Sequence, residues 1–471
     1  MKSSINPSET DESFRDHFSA VDDYGKRIWF YPQKPKGKWH NRRVVFTIVL
    51  LGLMFSAPFI HVNGQPLFLF NILERKFIIF GVFIGPQDYW IFGLGMLSFL
   101  VFVSLFTNLF GRLWCGWACP QTVFMEMVFR KIEYAIEGDW NKQRALDKAP
   151  WDRKKITKKA LKWTIFLLIS FLIANLLLAY VLGVAEVGKI VTHPVSEHPG
   201  LFLGVAGFTL IFFFIFTWLR DQACTVVCPY GRLQGVLLDK SSVVVAYDHV
   251  RGEKRGKLRK GQERQSGDCI DCYQCVRVCP TGIDIRNGTQ MECINCTACI
   301  DACDHMMDQV GFERGLIRYE SEEVIVSRKK SRFSAKAVGY IVVLTALWGG
   351  LGYAMFNRTS TETTMLRVPG TRYIENPDGT ISNLYNFKIY NKTNEQIVPE
   401  LRLEDGKGTL KFAGNPDLTL EPTGSVQGTV FILIPADKIK ERKVHLKLGV
   451  YEKGERLESF ETTFMAPGIR E

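Results

Sequence analysis

Eight of the twelve cysteines in this chain form one pattern: Cys269-x2-Cys272-x2-Cys275-x3-Cys279-Pro280, followed by Cys293-x2-Cys296-x2-Cys299-x3-Cys303. This is the ligand run of a two-cluster bacterial ferredoxin, in which three neighbouring thiolates and one remote thiolate hold each cubane. The pattern assigns Cys269, Cys272, Cys275 and Cys303 to one 4Fe–4S cluster, and Cys279, Cys293, Cys296 and Cys299 to the other. A zinc ribbon also uses Cys-x2-Cys pairs, but a tetrahedral ion takes four ligands, and two triple runs each closed by a fourth cysteine exceed that need. Asp304 stands where the second run would carry its own proline, a departure that leaves the ligands intact. A chain built around two such clusters carries electrons.

The mean hydropathy is close to zero because very apolar and very polar stretches cancel. Five stretches of about 20 residues are apolar enough to cross a bilayer: Val44 to Val62, Tyr89 to Phe110, Trp163 to Ala185, Gly200 to Leu219 and Ala337 to Phe356. Leu67 to Gly85 is also apolar, but Glu74, Arg75 and Lys76 interrupt it, so it reads as an interfacial or re-entrant loop. The N-terminal forty residues lack the apolar core of a signal peptide, so insertion is expected to begin at the first span. Basic residues then set the orientation. Lys34, Lys36, Lys38, Arg42 and Arg43 precede span one, Lys154, Lys155, Lys158 and Lys159 precede span three, and Arg328, Lys329, Lys330 and Arg332 precede span five. By the positive-inside rule these segments are cytoplasmic, which four spans before the clusters permit.

The expected product is a multi-pass protein of the bacterial inner membrane with five parts. These are a cytoplasmic segment (1–43), a four-span α-helical region (44–220), a cytoplasmic segment with the ferredoxin insert (221–336, core 266–310), a fifth span (337–356) and a periplasmic domain (357–471). The last part, beyond Asn357, has sixteen lysines and arginines against sixteen acids, so the net charge of +11 belongs to the membrane and cytoplasmic parts. That distribution argues for a bilayer and against nucleic acid as the partner. No cysteine lies in the periplasmic part, in keeping with reduced thiols on the cytoplasmic side.

From about Thr371 the pattern becomes alternating runs separated by turns. Leu384 to Tyr390, Glu400 to Leu403, Thr429 to Leu433 and Val444 to Val450 read as strands, with turns at Asp378-Gly379, Asp405-Gly406 and Lys453-Gly454. About seven strands in such a length predict an immunoglobulin-like sandwich. It contains no catalytic constellation, so docking or assembly is its expected role.

The remaining four cysteines repeat a motif, Cys115-x3-Cys119-Pro120 and Cys224-x3-Cys228-Pro229, each just past the cytoplasmic end of a span. Proline favours the first helical turn, so Cys119 and Cys228 are expected at helix N-caps, where a thiol's pKa falls. Phe124, Met127, Val128, Ile132 and Ala135 give the following helix an apolar side suited to the interface. Four thiols at one depth make a candidate copper site, because thiolates select Cu(I). Buried, inert cysteines are the alternative. His193 and His198 in the loop after span three, and His305, Met306 and Met307 after Cys303, are weaker ligand candidates. No Gly-x-Gly-x-x-Gly follows a strand, so no dinucleotide site of that kind is indicated.

These motifs resemble the CcoG family, also called FixG or RdxA, of accessory proteins for assembly of cbb3-type cytochrome oxidase. The likeness runs through Gly111-Arg-Leu-Trp-Cys-Gly-Trp-Ala-Cys-Pro-Gln-Thr122, Cys224 to Gln234, the ferredoxin run with Pro280-Thr-Gly-Ile-Asp-Ile-Arg286, and Arg314-Gly-Leu-Ile-Arg-Tyr319. The resemblance implies two 4Fe–4S clusters and a cupric reductase that turns Cu(II) into Cu(I) for the oxidase, with Cys115, Cys119, Cys224 and Cys228 as the copper site. It also implies oxidase assembly factors and copper chaperones or a copper transporter as partners, and is compatible with a homodimer. A quinol-linked subunit feeding a periplasmic redox partner and a non-catalytic assembly platform are the competing readings.

Overall fold

The computed structural model describes residues 24, 26–62, 64–72, 76–85, 88–192, 194, 199–258, 266–329, 335–370, 372–414, 417–439 and 441–467. His193 and His198 lie outside these residues. The chain divides into two compact units: Met1–Ser56 with Leu97–Ala179 and Ala185–Leu347, and Ala57–Met96 with Tyr180–Val184 and Trp348–Glu471.

Among the described residues five helices are long and apolar enough to cross a membrane: Lys38–Phe59, Tyr89–Phe110, Arg153–Leu182, Pro199–Leu219 and Ala335–Phe356. Their large side chains, among them Ile48, Leu53, Phe99, Leu172, Leu203 and Val342, are exposed. Exposed apolar surface on this scale needs a nonaqueous solvent, and lipid supplies it. The third helix begins ten residues before the expected apolar start at Trp163, because its basic first turns find partners inside the protein. Lys155 is buried and its Nζ donates to the carbonyls of Asp147 at 2.8 Å and Ala149 at 2.6 Å.

In the first unit the ferredoxin insert is bracketed by an antiparallel pair, Val244–Tyr247 against Ile317–Glu320. Between them run the short helix Gln274–Arg277 and the helix Ala298–Val310. Val245, Val278, Ile283, Ile285, Ile300 and Ile317 pack with the cysteines into one core. Met307 belongs to that core, 1% exposed, which explains it as packing, while His305 is exposed.

In the second unit, Leu67 to Gly85 does not form a helix. It makes a three-stranded antiparallel meander of Phe68–Asn71, Lys76–Ile79 and Val82–Ile84, so the backbone polar groups are paired within a small sheet. The C-terminal part is a sandwich. One sheet orders Thr409–Phe412, Ser425–Pro435, Thr380–Asn391 and Thr361–Arg367, with Ile374–Glu375 also on Thr380–Asn391. The other orders Glu400–Leu403, Lys443–Glu452 and Glu455–Met465. Tyr385, Ile389, Val430, Ile432, Leu448 and Phe464 fill the space between them. Strict alternation puts every second side chain of each strand inward, and this apolar layer holds the domain without disulfides.

Candidate metal centres

The two cysteine runs fold alike. In each, the residues on both sides of the central cysteine take left-handed conformations: Asp271 (φ 54°) and Tyr273 (φ 58°) around Cys272, Asn295 (φ 52°) and Thr297 (φ 67°) around Cys296. Non-glycine residues pay for such geometry only where the surroundings require it. Here it curls the backbone so that amides point at sulfur: Asn295 and Ala298 donate to Cys293 and Cys296, and Thr281, Gly282 and Ile283 donate to Cys279.

The electrostatic neighbours of the thiols follow the two quartets, with Cys275 and Cys299 as neighbours across them. Burial pushes the Cys303 thiol up, and Cys275, Cys272 and Cys269 add to the shift. Burial likewise raises Cys299 well above its ordinary value, with Cys296, Cys293, Cys279 and, across the two runs, Cys275 adding to the shift. Cys275 and Cys293 are pushed to about 12 and Cys296 to about 11, chiefly by burial. Cys279, Cys293, Cys296 and Cys299 line one cavity walled by Val245 and Ile283, and Cys275 of the other quartet also borders it. The cradle, the amide donors and the two thiol quartets fit two 4Fe–4S clusters, whose binding displaces the thiol protons.

The other four cysteines sit on two matching turns. Cys119 and Cys228 have extended ψ values of 124° and 112°, and each is an N-cap with proline in the first helical turn. Neither thiol itself accepts a cap hydrogen bond. Cys115 is buried and donates to Gln234 Oε1 at 2.9 Å. Burial raises its pKa to about 11 against the pull of Arg112, with Cys119 and Cys228 as neighbours. Burial raises Cys224 to about 12, with Cys119 and Cys115 nearby. The two motifs thus meet, yet the four thiols do not close on one point.

What joins them is a set of buried charges that the sequence reading passed over. The helix Pro120–Ile136, which includes a π-helical stretch Val123–Phe129, was expected in the interface. It is instead packed on both sides: Phe129 is 0% exposed and Glu133 2%. Its second face carries Glu126, Arg130, Glu133 and Glu137 at spacings of four, three and four, a periodicity legible in the sequence. Arg220, at the end of the fourth span with φ 50°, holds Glu133 with two bonds of 2.7 and 2.6 Å. Arg130 pairs with Glu126 at 3.0 Å and Asp221 at 2.9 Å. Lys162 and Lys159 hold Glu137 at 2.8 and 3.1 Å. Burial alone would raise the Glu133 carboxyl, but Arg220, Lys162 and Arg130 override it and hold it at about 2.

The thiol turns abut the second cluster cradle. A Cβ on Gly116 would collide with the Ile294 carbonyl, and Arg43 Nε donates to the Gly116 carbonyl at 2.7 Å.

Comparison with known proteins agrees with this architecture. Residues 219–322 match the model of a 4Fe-4S dicluster domain, 92–142 that of a 4Fe-4S binding domain, and 351–467 that of the IG-like fold at the C-terminus of FixG. The chain is 32% identical to protein RdxB of Cereibacter sphaeroides over 446 residues, 90% of each chain. It is 33% identical to RdxA of the same organism over 432 residues, 88% of this chain and 90% of that one. The chain belongs to the FixG/RdxA family. Nitrogen fixation protein FixG of Rhizobium meliloti is 31% identical over 495 residues, 95% of this chain and 92% of FixG. This FixG/RdxA protein is therefore an iron–sulfur electron-transfer protein with transmembrane helices and an immunoglobulin-like C-terminal fold.

Proposed function

We propose that this protein is a cupric reductase: it passes one electron at a time from its clusters to Cu(II) held at Cys115, Cys119, Cys224 and Cys228, and releases Cu(I) toward assembly of a cbb3-type cytochrome oxidase. The observation that carries the reading is the packing of the Cys115–Gly116 turn directly on the Ile294 backbone, between Cys293 and Cys296. Bound clusters supply single electrons, and Cu(II) takes one. Thiolates then favour the Cu(I) product.

The orientation is part of the same proposal. Five spans put the clusters and thiols on the cytoplasmic side of the inner membrane and the sandwich on the periplasmic side, where it docks assembly factors, a copper chaperone or a transporter. Copper-dependent oxidation of reduced clusters, followed optically in detergent without quinone, tests the reading. It should be lost in Cys119→Ser/Cys228→Ser while both clusters remain. Neither thiol makes a cap bond, so this change leaves the helix starts intact. Unchanged copper stoichiometry and rate in that variant would refute the site, and oxidation by quinone but not copper would favour a quinol-linked protein.

A further inference from the structure

Buried cations need anions, and two arginines beside the second cluster have no carboxylate. Arg43 is 4% exposed and Arg112 2%, and among the described residues neither forms an ion pair. Each keeps one guanidinium nitrogen, Nη2, without a hydrogen-bond partner. An uncompensated buried charge is strongly disfavoured, so this arrangement is stable only around negative charge of another kind.

The neighbours identify that charge. Arg112 donates Nε to Gln234 Oε1 at 3.2 Å, the same oxygen that accepts from Cys115, and Nη1 to the carbonyl of Met291. It thereby spans from the first thiol turn to Met291, two residues before Cys293 at the start of the second cysteine run. Arg43 is fixed by the carbonyl of Gly116, which packs on Ile294 and Asn295 between Cys293 and Cys296. Glu126 also senses Arg43, but its carboxylate is already paired with Arg130. The first cluster is different. Of its neighbouring arginines, Arg286 is neutralised by Asp271 and Asp284, both at 2.6 Å, and Arg277, which donates to the Cys272 carbonyl at 3.1 Å, is exposed and screened by solvent, while Asp304 stands near Cys303.

We propose that Arg43 and Arg112 are fixed counter-charges of the second cluster, raising its reduction potential above that of the first and so directing electrons from the first cluster, through the second, toward the thiol turns. A 4Fe–4S core with four thiolates carries a net charge of −2 when oxidised and −3 when reduced, one electron being added and no proton. An uncompensated cation therefore favours the reduced form, whereas an arginine already paired with two carboxylates contributes little. The difference in potential rests on the cluster assignment alone and is tested without copper; the choice of the thiol turns as the electrons' destination rests on the proposed cupric reductase reading.

The test is a redox titration of the full-length, anaerobically purified protein without copper, read by EPR, with Cys272→Ser isolating the second cluster's signal. In the native protein the second cluster should titrate at the higher potential. Arg112→Gln should lower its reduction equilibrium about tenfold, which is about 59 mV for one electron, and Arg43→Gln should act in the same direction. The first cluster should not move, and Arg112→Lys should retain most of the native value. Unchanged second-cluster potentials in both glutamine variants at full iron content would overturn the proposal. So would a lysine variant that shifts as far as the glutamine one. Should Arg112→Gln fail to hold the cluster, Arg43→Gln decides by the same criteria.

Discussion

Replacing Glu133 with glutamine removes the buried carboxylate that ties the two Cys-x3-Cys-Pro turns together, and its cost follows from the structure. Glutamine keeps the shape and mimics the protonated acid, leaving Arg220 and Lys162 with a neutral partner. The carboxyl lies at about 2 against an ordinary 4.5. That gap corresponds to about 3.4 kcal/mol at neutral pH, within the range of about 3–5 kcal/mol seen when one partner of a buried pair is removed. Because the folded value is depressed, the contribution is complete above the unfolded value and is lost as pH falls from about 4.5 toward 2. At pH 4 about 2.6 kcal/mol should remain. Thermal unfolding in detergent, followed by tryptophan fluorescence, should show Glu133→Gln melting roughly 3 to 6 °C below the native protein at pH 7. The difference should narrow at pH 4. A variant within about 1 kcal/mol of native at pH 7, or a difference that widens on acidification, would refute the account.

Three further outcomes follow. Anaerobically purified protein should contain about eight iron and eight sulfide per chain, and Cys272→Ser should halve the iron while leaving one cluster's EPR signal; iron-free protein loaded with zinc would contradict the assignment. Gly116→Ala should cost about 1–3 kcal/mol and slow electron passage, because its methyl meets the Ile294 carbonyl and not a movable side chain; native stability and rate would show that the contact is dispensable. A cysteine probe at position 411 should be labelled from outside intact spheroplasts and one at 257 should not, and the reverse would overturn the orientation.

Short-range chemistry was legible in the sequence and long-range pairing was not. Ligand spacing is dictated by the size of a cubane, so the two cysteine runs read as a two-cluster domain from their order alone, and residues 219–322 match a 4Fe-4S dicluster domain. Alternation within Leu384–Tyr390 reports a pleat, and the strand Thr380–Asn391 contains it. Glu400 to Leu403 matches its strand residue for residue. Thr361–Arg367 and Glu455–Met465 escaped notice because both are rich in polar residues whose burial depends on the partner strand. The break at Glu74 to Lys76 excluded a spanning helix, but the meander that replaces it depends on pairing between strands. Arg220 and Glu133 stand 87 positions apart, and nothing local in either segment names the other.

The basic excess also has a second origin. Arg43 and Lys155 count toward the positive-inside pattern, yet both are buried and bonded within the protein. They cannot also serve as surface charges facing anionic lipid. The orientation signal therefore rests on the other residues of those runs, such as Lys36 and Lys38, and part of the net charge of +11 is internal. Two thiolate clusters explain why such a chain tolerates buried cations. Eight cysteines that are neutral thiols when empty become anions once iron is bound, and Arg43 and Arg112 are then no longer unpaired. Metal binding and the folding of this unit are thus linked through charge as well as through ligation: loss of the second cluster leaves two buried guanidinium groups without compensation.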